Sequence, residues 1–197
     1  MNNFLSQKTH FFQVPKGQNC HKEISRVIEL YFREGILLSN PLFQEKSDKL
    51  TISLFYYTVT PNFSQSSIEI LSKRITQIVN KEVSIVLTRV HYPYMNSSIL
   101  AKYLAHNSPA NTFIHFRNAI LKYPRFAKSH LPSHICGIRI QLSGRLATER
   151  VIPRVTKNAN VFGSLSNADY IDYAYHTQKN YLGTFTIKVW IAMKFTI

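Results

Sequence analysis

Between Gly137 and Leu146 the chain reads Gly-Ile-Arg-Ile-Gln-Leu-Ser-Gly-Arg-Leu. Side chains of an extended chain alternate between two faces, so Ile138, Ile140 and Leu142 fall on one side and Arg139 and Gln141 on the other. This pattern predicts a half-buried strand, whose apolar side needs a core to lie against. Ser143-Gly144 is read as the turn that ends it, and Arg145 follows where a guanidinium can meet a phosphate beyond the sheet. From Gly183 to Ile191 the alternation returns, with Phe185, Ile187, Val189 and Ile191 on one face and Lys188 on the other. Two such strands predict one sheet, apolar inside and basic outside.

The basic side has a counterpart in the composition. Lys and Arg number 24 against 10 Asp and Glu, a formal charge of +14 over 197 residues. That excess calls for a polyanionic partner, with nucleic acid first and a membrane surface second. No stretch approaches the roughly 18 consecutive apolar residues of a membrane-spanning helix, and no basic amphipathic helix stands out. Cys20 and Cys136 lie far apart in sequence with no secretory leader before them, which fits a reducing compartment rather than a disulfide framework.

Taken in order, the chain predicts an α+β fold. Ile24, Val27, Ile28, Tyr31 and Phe32 recur at helical spacing over residues 20–34. Strands are expected at 36–43 and 50–59, a helix at 68–80 and a strand at 83–90. Pro93 pushes Tyr92 towards an extended conformation and marks a boundary. Helices at 97–106 and 110–123 follow, the second bracketed by Pro109 and Pro124. Four strands complete the chain, at 135–142, 149–156, 168–177 and 184–193. The third is expected to carry a bulge, and a helix is the alternative there.

Gly-Ile-Arg-Ile-x-Leu-Ser-Gly-Arg-Leu, followed some forty residues later by Gly-x-x-x-Ile-Lys-Val-Trp-Ile, closely resembles the two signature strands of the universal small-subunit ribosomal protein S-three family. The resemblance extends to Ala168-Asp169-Tyr170-Ile171-Asp172-Tyr173 and, more weakly, to Ser6-Gln7-Lys8-Thr9-His10. It implies an N-terminal extension at 1–18, a type II KH-like domain at 19–92, and a C-terminal domain at 93–197 built as two helices on a four-stranded antiparallel sheet. Type II KH domains run helix, strand, strand, helix, strand, as this chain does. Their nucleic-acid clamp is a G-x-x-G loop, because only glycine lets the backbone come so close to phosphates. Here that place holds Pro61-Asn62-Phe63-Ser64-Gln65-Ser66-Ser67, so the KH domain is read as degenerate.

The resemblance further implies a constituent of the small-subunit head that binds rRNA, contacts neighbouring head proteins and lines the channel through which mRNA enters. The rRNA-contacting residues would be Lys8, His10, Arg139, Arg145 and Lys188, with a loose basic N-terminus as the alternative for the first two. Phe116-Arg117-Asn118-Ala119-Ile120-Leu121-Lys122 stands where the family carries its mRNA-facing cations. Arg117 and Lys122 keep the charge, Asn118 and Leu121 have lost it, and Arg125 and Lys128 lie just downstream. Asn, Ile, Tyr, Phe and Lys are abundant while Gly numbers only 6, the mark of an AT-rich gene. The first fourteen residues hold Lys8 but no Arg, unlike an imported presequence. A mitochondrially encoded ribosomal protein accounts for both. The competing reading is a free-standing RNA-binding regulator, which should have kept its KH glycines.

No enzyme is expected. Cys20-His21 and His134-x-Cys136 lack the spacing of a zinc site, so neither metal nor cofactor is predicted. Asp169 and Asp172, the close acidic pair of the C-terminal half, are read as structural. Walker, Rossmann and nucleophile-elbow motifs do not occur. The aromatic residues, among them Phe55, Tyr57, Phe185 and Trp190, are read as core in preference to RNA-stacking groups.

Overall fold

The computed structural model describes residues 16–32, 35–58, 65–106, 133–144, 156–180 and 183–195. They form an α+β chain of three α-helices and two four-stranded sheets. Contacts divide it into two compact units. The described residues up to Ile36, with Asn40–Thr88, make the first; Leu37–Ser39, with the described residues from Arg89 onward, make the second.

Helix α1 (Lys16–Tyr31) buries Ile24, Ile28 and, just past its end, Phe32, side chains one turn apart on a common face. The first sheet is made of β1 (Ile36–Leu38), β2 (Leu42–Glu45), β3 (Lys49–Thr58) and β4 (Glu82–Arg89). Their sheet is centred on β3, with which the other three all pair. Leu50, Ile52 and Leu54 of β3 alternate into the core. Helix α2 (Gln65–Val79) adds Leu71 and Ile75 and packs against α1. The single strand expected at 36–43 is divided by Asn40-Pro41, since proline has no N–H for a ladder. Phe55 is 39% exposed, not core: it takes the odd, outward position of β3, on the face opposite Leu50, Ile52 and Leu54.

The second unit begins with a 3-10 turn at Pro93–Met95 behind an extended Tyr92 (φ −130°, ψ 135°), as the proline predicts. Helix α3 (Ser97–His106) follows, then β5 (Ser133–Gly144), β6 (Thr156–Gly163), β7 (Tyr170–Asn180) and β8 (Gly183–Phe195). Their order across the sheet is β6-β5-β8-β7, every neighbour antiparallel. Ile138, Ile140 and Leu142 of β5 and Phe185, Ile187, Val189 and Ile191 of β8 are at most 3% exposed. They share a core with Leu100, Ala101, Leu104 and Ala105 of α3. Burying each large side chain is worth about 1.5–3 kcal/mol, and the two alanines let the helix come close to the sheet.

Several expectations shift here. β5 does not turn at Ser143-Gly144: both residues stay in the ladder, opposite Thr186 and Phe185. A strand pairs with β5 at Thr156–Gly163, beyond the expected 149–156. Residues 149–155 and the expected helix at 110–123 lie outside the described residues. β7 is a strand, and its pairing with β8 runs unbroken from Tyr170 opposite Met193 to Asn180 opposite Gly183, so the expected bulge is not there. The irregularities lie in the two ladders of β5 instead: against β8 the register slips between Ile135 and Gly137, passing over Cys136, and against β6 between Ile138 and Arg139, passing over Val161 of β6.

Candidate RNA-binding face

Strand parity that sends Ile138, Ile140 and Leu142 into the core sends Arg139, Gln141 and Ser143 to the opposite face of the sheet. The β5–β8 register sets Arg139 opposite Trp190, Gln141 opposite Lys188 and Ser143 opposite Thr186. The β7–β8 register continues each row, with Tyr173 beside Trp190, Tyr175 beside Lys188 and Thr177 beside Thr186. Directly opposed residues of an antiparallel pair share a face. Three cross-strand rows of polar, basic and aromatic groups therefore lie together away from α3.

The first row is a line of contacting groups whose rings are tilted against one another. The Arg139 guanidinium carbon lies 5.5 Å from the centroid of the Trp190 ring, a cation–π contact worth about 0.5–2 kcal/mol depending on desolvation. Its Nε is buried without a hydrogen-bond partner, so the indole is the contact that holds the guanidinium. On the far side Tyr173 lies 5.2 Å from Trp190 and 6.4 Å from Tyr175. In the third row the Thr177 and Thr186 hydroxyls are 2.9 Å apart.

Charge on this face has one sign. Arg139 and Lys188 lie in neighbouring rows, Lys179 lies opposite Thr184 two residues further along β7, and among the described residues of β5, β7 and β8 no carboxylate takes an outward position. The two aspartates of this region serve the backbone instead. Asp172 accepts the N–H of Ser97, and Asp169 accepts the N–H of Phe195 at 2.9 Å. This is the structural role expected of them. Among the described residues no three His, Cys, Asp or Glu side chains gather as a metal site would require, and no helix is long and apolar enough to cross a membrane.

A family profile described as mitochondrial ribosomal protein (VAR1) matches residues 36–194. The chain belongs to the VAR1 family of mitochondrial ribosomal proteins. It is 44% identical to the small ribosomal subunit protein uS3m of Mycosarcoma maydis, over 81% of this chain and 69% of that one. It is 29% identical to the uS3c protein of Oenothera elata subsp. hookeri, over 94% of this chain and 91% of that one. With the uS3c protein of Draba nemorosa the identity is 26%, over 94% and 90%.

In this VAR1-family chain the structure brings together two of the residues expected to contact rRNA, Arg139 and Lys188. Lys8, His10, Arg145, Arg117, Lys122, Arg125 and Lys128 lie outside the described residues. Trp190, expected in the core, stands on the outward face between Arg139 and Tyr173: its even position in β8 sets its direction, whatever its size favours. Phe185, at an odd position, is buried as expected. Tyr173 and Tyr175, 46% and 65% exposed, were not singled out by sequence reasoning. Their i, i+2 spacing was the available signal, but only the register with β8 sets them beside Trp190 and Lys188.

Proposed function

We propose that this chain is built into the head of the mitochondrial small ribosomal subunit and that its basic sheet face lies against rRNA. Membership of a mitochondrial ribosomal protein family and 44% identity to a small-subunit protein make it a structural constituent of that subunit. The observation that carries the finer reading is the placement of Arg139 and Lys188 in neighbouring rows of one outward face, in a chain of net charge +14. Such a face binds phosphates by position and charge, with counterion release supplying the affinity.

In this reading residues 19–92 are a degenerate KH-like domain. The order α1, β1/β2, β3, α2, β4 supports it, and the missing glycines around residues 61–67 leave it without a backbone clamp. Residues 93–197 form the C-terminal domain. Arg117, Lys122, Arg125 and Lys128 face the entering mRNA, Lys8, His10 and Arg145 add rRNA contacts, and the remaining surface meets neighbouring head proteins.

Gradient sedimentation of mitochondrial extract tests the assignment: the chain is expected with the small subunit, and recovery only in the free RNA-binding fraction would refute it. With naked rRNA, neutralising about six phosphates should weaken binding by roughly a thousandfold between low and moderate salt.

A further inference from the structure

Charge alone leaves the aromatic half of the sheet face without a task. Tyr173 and Tyr175 follow each other along the edge strand β7 on the same face, both largely exposed, beside Trp190 and Lys188. The neighbours on that face are Thr177, Thr184, Thr186 and Lys179, with no carboxylate among the described residues. A surface made for another protein is expected to be poor in lysine. This one has exposed rings set among cations and hydroxyls.

We infer that Tyr173 and Tyr175 form a stacking platform for unpaired RNA bases, with Lys188 and Lys179 placed for the phosphates that join them. The inference rests on the reading of this face as an rRNA contact and adds that the RNA lying on it is single-stranded. In a duplex the bases stack on each other and offer no free π face; loops and bulges do. An aromatic ring stacks on any base, so such a platform takes unpaired nucleotides with little regard to sequence. Arg139 and Trp190 brace it: the guanidinium holds the indole, and the indole backs the Tyr173 ring. Tyr175 ends the line and is the most exposed ring in it.

The chain has a single tryptophan, and it stands on this face, so its emission reports directly on the platform. The test uses the full chain with two probes, a short single-stranded oligoribonucleotide of mixed sequence and a blunt RNA duplex of the same length. The single strand is expected to quench Trp190 and the duplex to leave it unchanged. Tyr175→Ala should weaken single-strand binding roughly tenfold without altering duplex binding or the salt dependence, and Tyr175→Phe should restore it. Lys188→Gln should weaken both probes and lower the salt slope by about one.

If Tyr175→Ala binds the single strand as the native chain does and Trp190 emission does not respond, the platform is refuted, while a Lys188→Gln defect would still uphold the rRNA-facing sheet. If Lys188→Gln changes nothing with either probe, the electrostatic reading of the face fails independently. Normal RNA binding by Tyr175→Ala together with loss from the small subunit would give the face to a neighbouring protein and overturn the inference.

Discussion

Asp172 on β7 accepts the backbone N–H of Ser97 at 2.8 Å, across 75 residues of sequence. Beside it, Asn96 Oδ1 accepts the N–H groups of Ser98 and Ile99, each at 3.1 Å. The first three N–H donors of α3 thus have acceptors, and the positive end of the helix dipole meets a carboxylate carried by the sheet it packs on. Helix and sheet are joined by this bond as well as by the core beneath it.

Asp172→Ala is accordingly expected to cost about 2 kcal/mol, since it removes a charge-assisted bond and leaves a half-buried N–H without a partner. Asp172→Asn, which keeps an acceptor oxygen, should cost less than half as much. Urea unfolding of the full chain measures both, and equal losses would assign the effect to charge alone.

A second expectation concerns the slip in register beside Cys136. A Cβ on Gly163 would run into the Cys136 carbonyl oxygen, and its φ of +56° already disfavours other residues. Gly163→Ala should therefore destabilise the fold by about 3 kcal/mol or more, the sum of backbone strain and a clash that only strand movement can relieve. Thermal unfolding would show it, and a change of less than about 0.5 kcal/mol would mean that β6 shifts freely.

On the first unit, Lys81 Nζ lies 2.6 Å from Glu45 Oε1. The hydrogen bond from Lys81, and then its charge, hold the Glu45 carboxyl below its ordinary value. A depressed folded value means that the contribution is complete above the unfolded value of a glutamate and is lost as pH falls through the folded one. Lys81→Met should move the Glu45 titration, followed by carboxyl NMR, back towards normal. Any difference in stability from the native chain should be small, because the pair is open to solvent, and should vanish in acid.

Replacing Arg117 and Arg125 together with alanine tests the proposed mRNA contact. Initiation is expected to slow more on structured messages than on unstructured ones, because the lost cations no longer hold separated strands apart. Equal slowing on both would place these residues in general rRNA anchoring.

How far the fold could be read from the chain differs strand by strand. β5 and β8 were legible because each buries one face only, and period-two alternation records that fact directly. β6 was not: Lys157-Asn158-Ala159-Asn160 carries no apolar alternation, and what makes it a strand is the free edge of β5. β7 was ambiguous between helix and strand until β8 supplied its ladder. Trp190 was legible by position and misjudged by size. The Asp172 bond to Ser97 had no local signal at all, since its partners meet only when α3 settles on the sheet. The outward basic face was readable in Arg139 and Lys188; the tyrosines completing it belong to a register that no single segment encodes.

The slip in β5 also bears on how this chain can change over time. Gly137 and Gly163 stand opposite each other, and a Cβ on either would enter the backbone of the facing segment, Ser164 in one case and Cys136 in the other. In a chain left with 6 glycines, a drift in base composition that replaces glycine codons meets a barrier here, because neither position has a neutral single step open to it. Because both obstacles are backbone, escape requires a re-registered edge strand, so this corner of the sheet should be among the slowest parts of the gene to diverge.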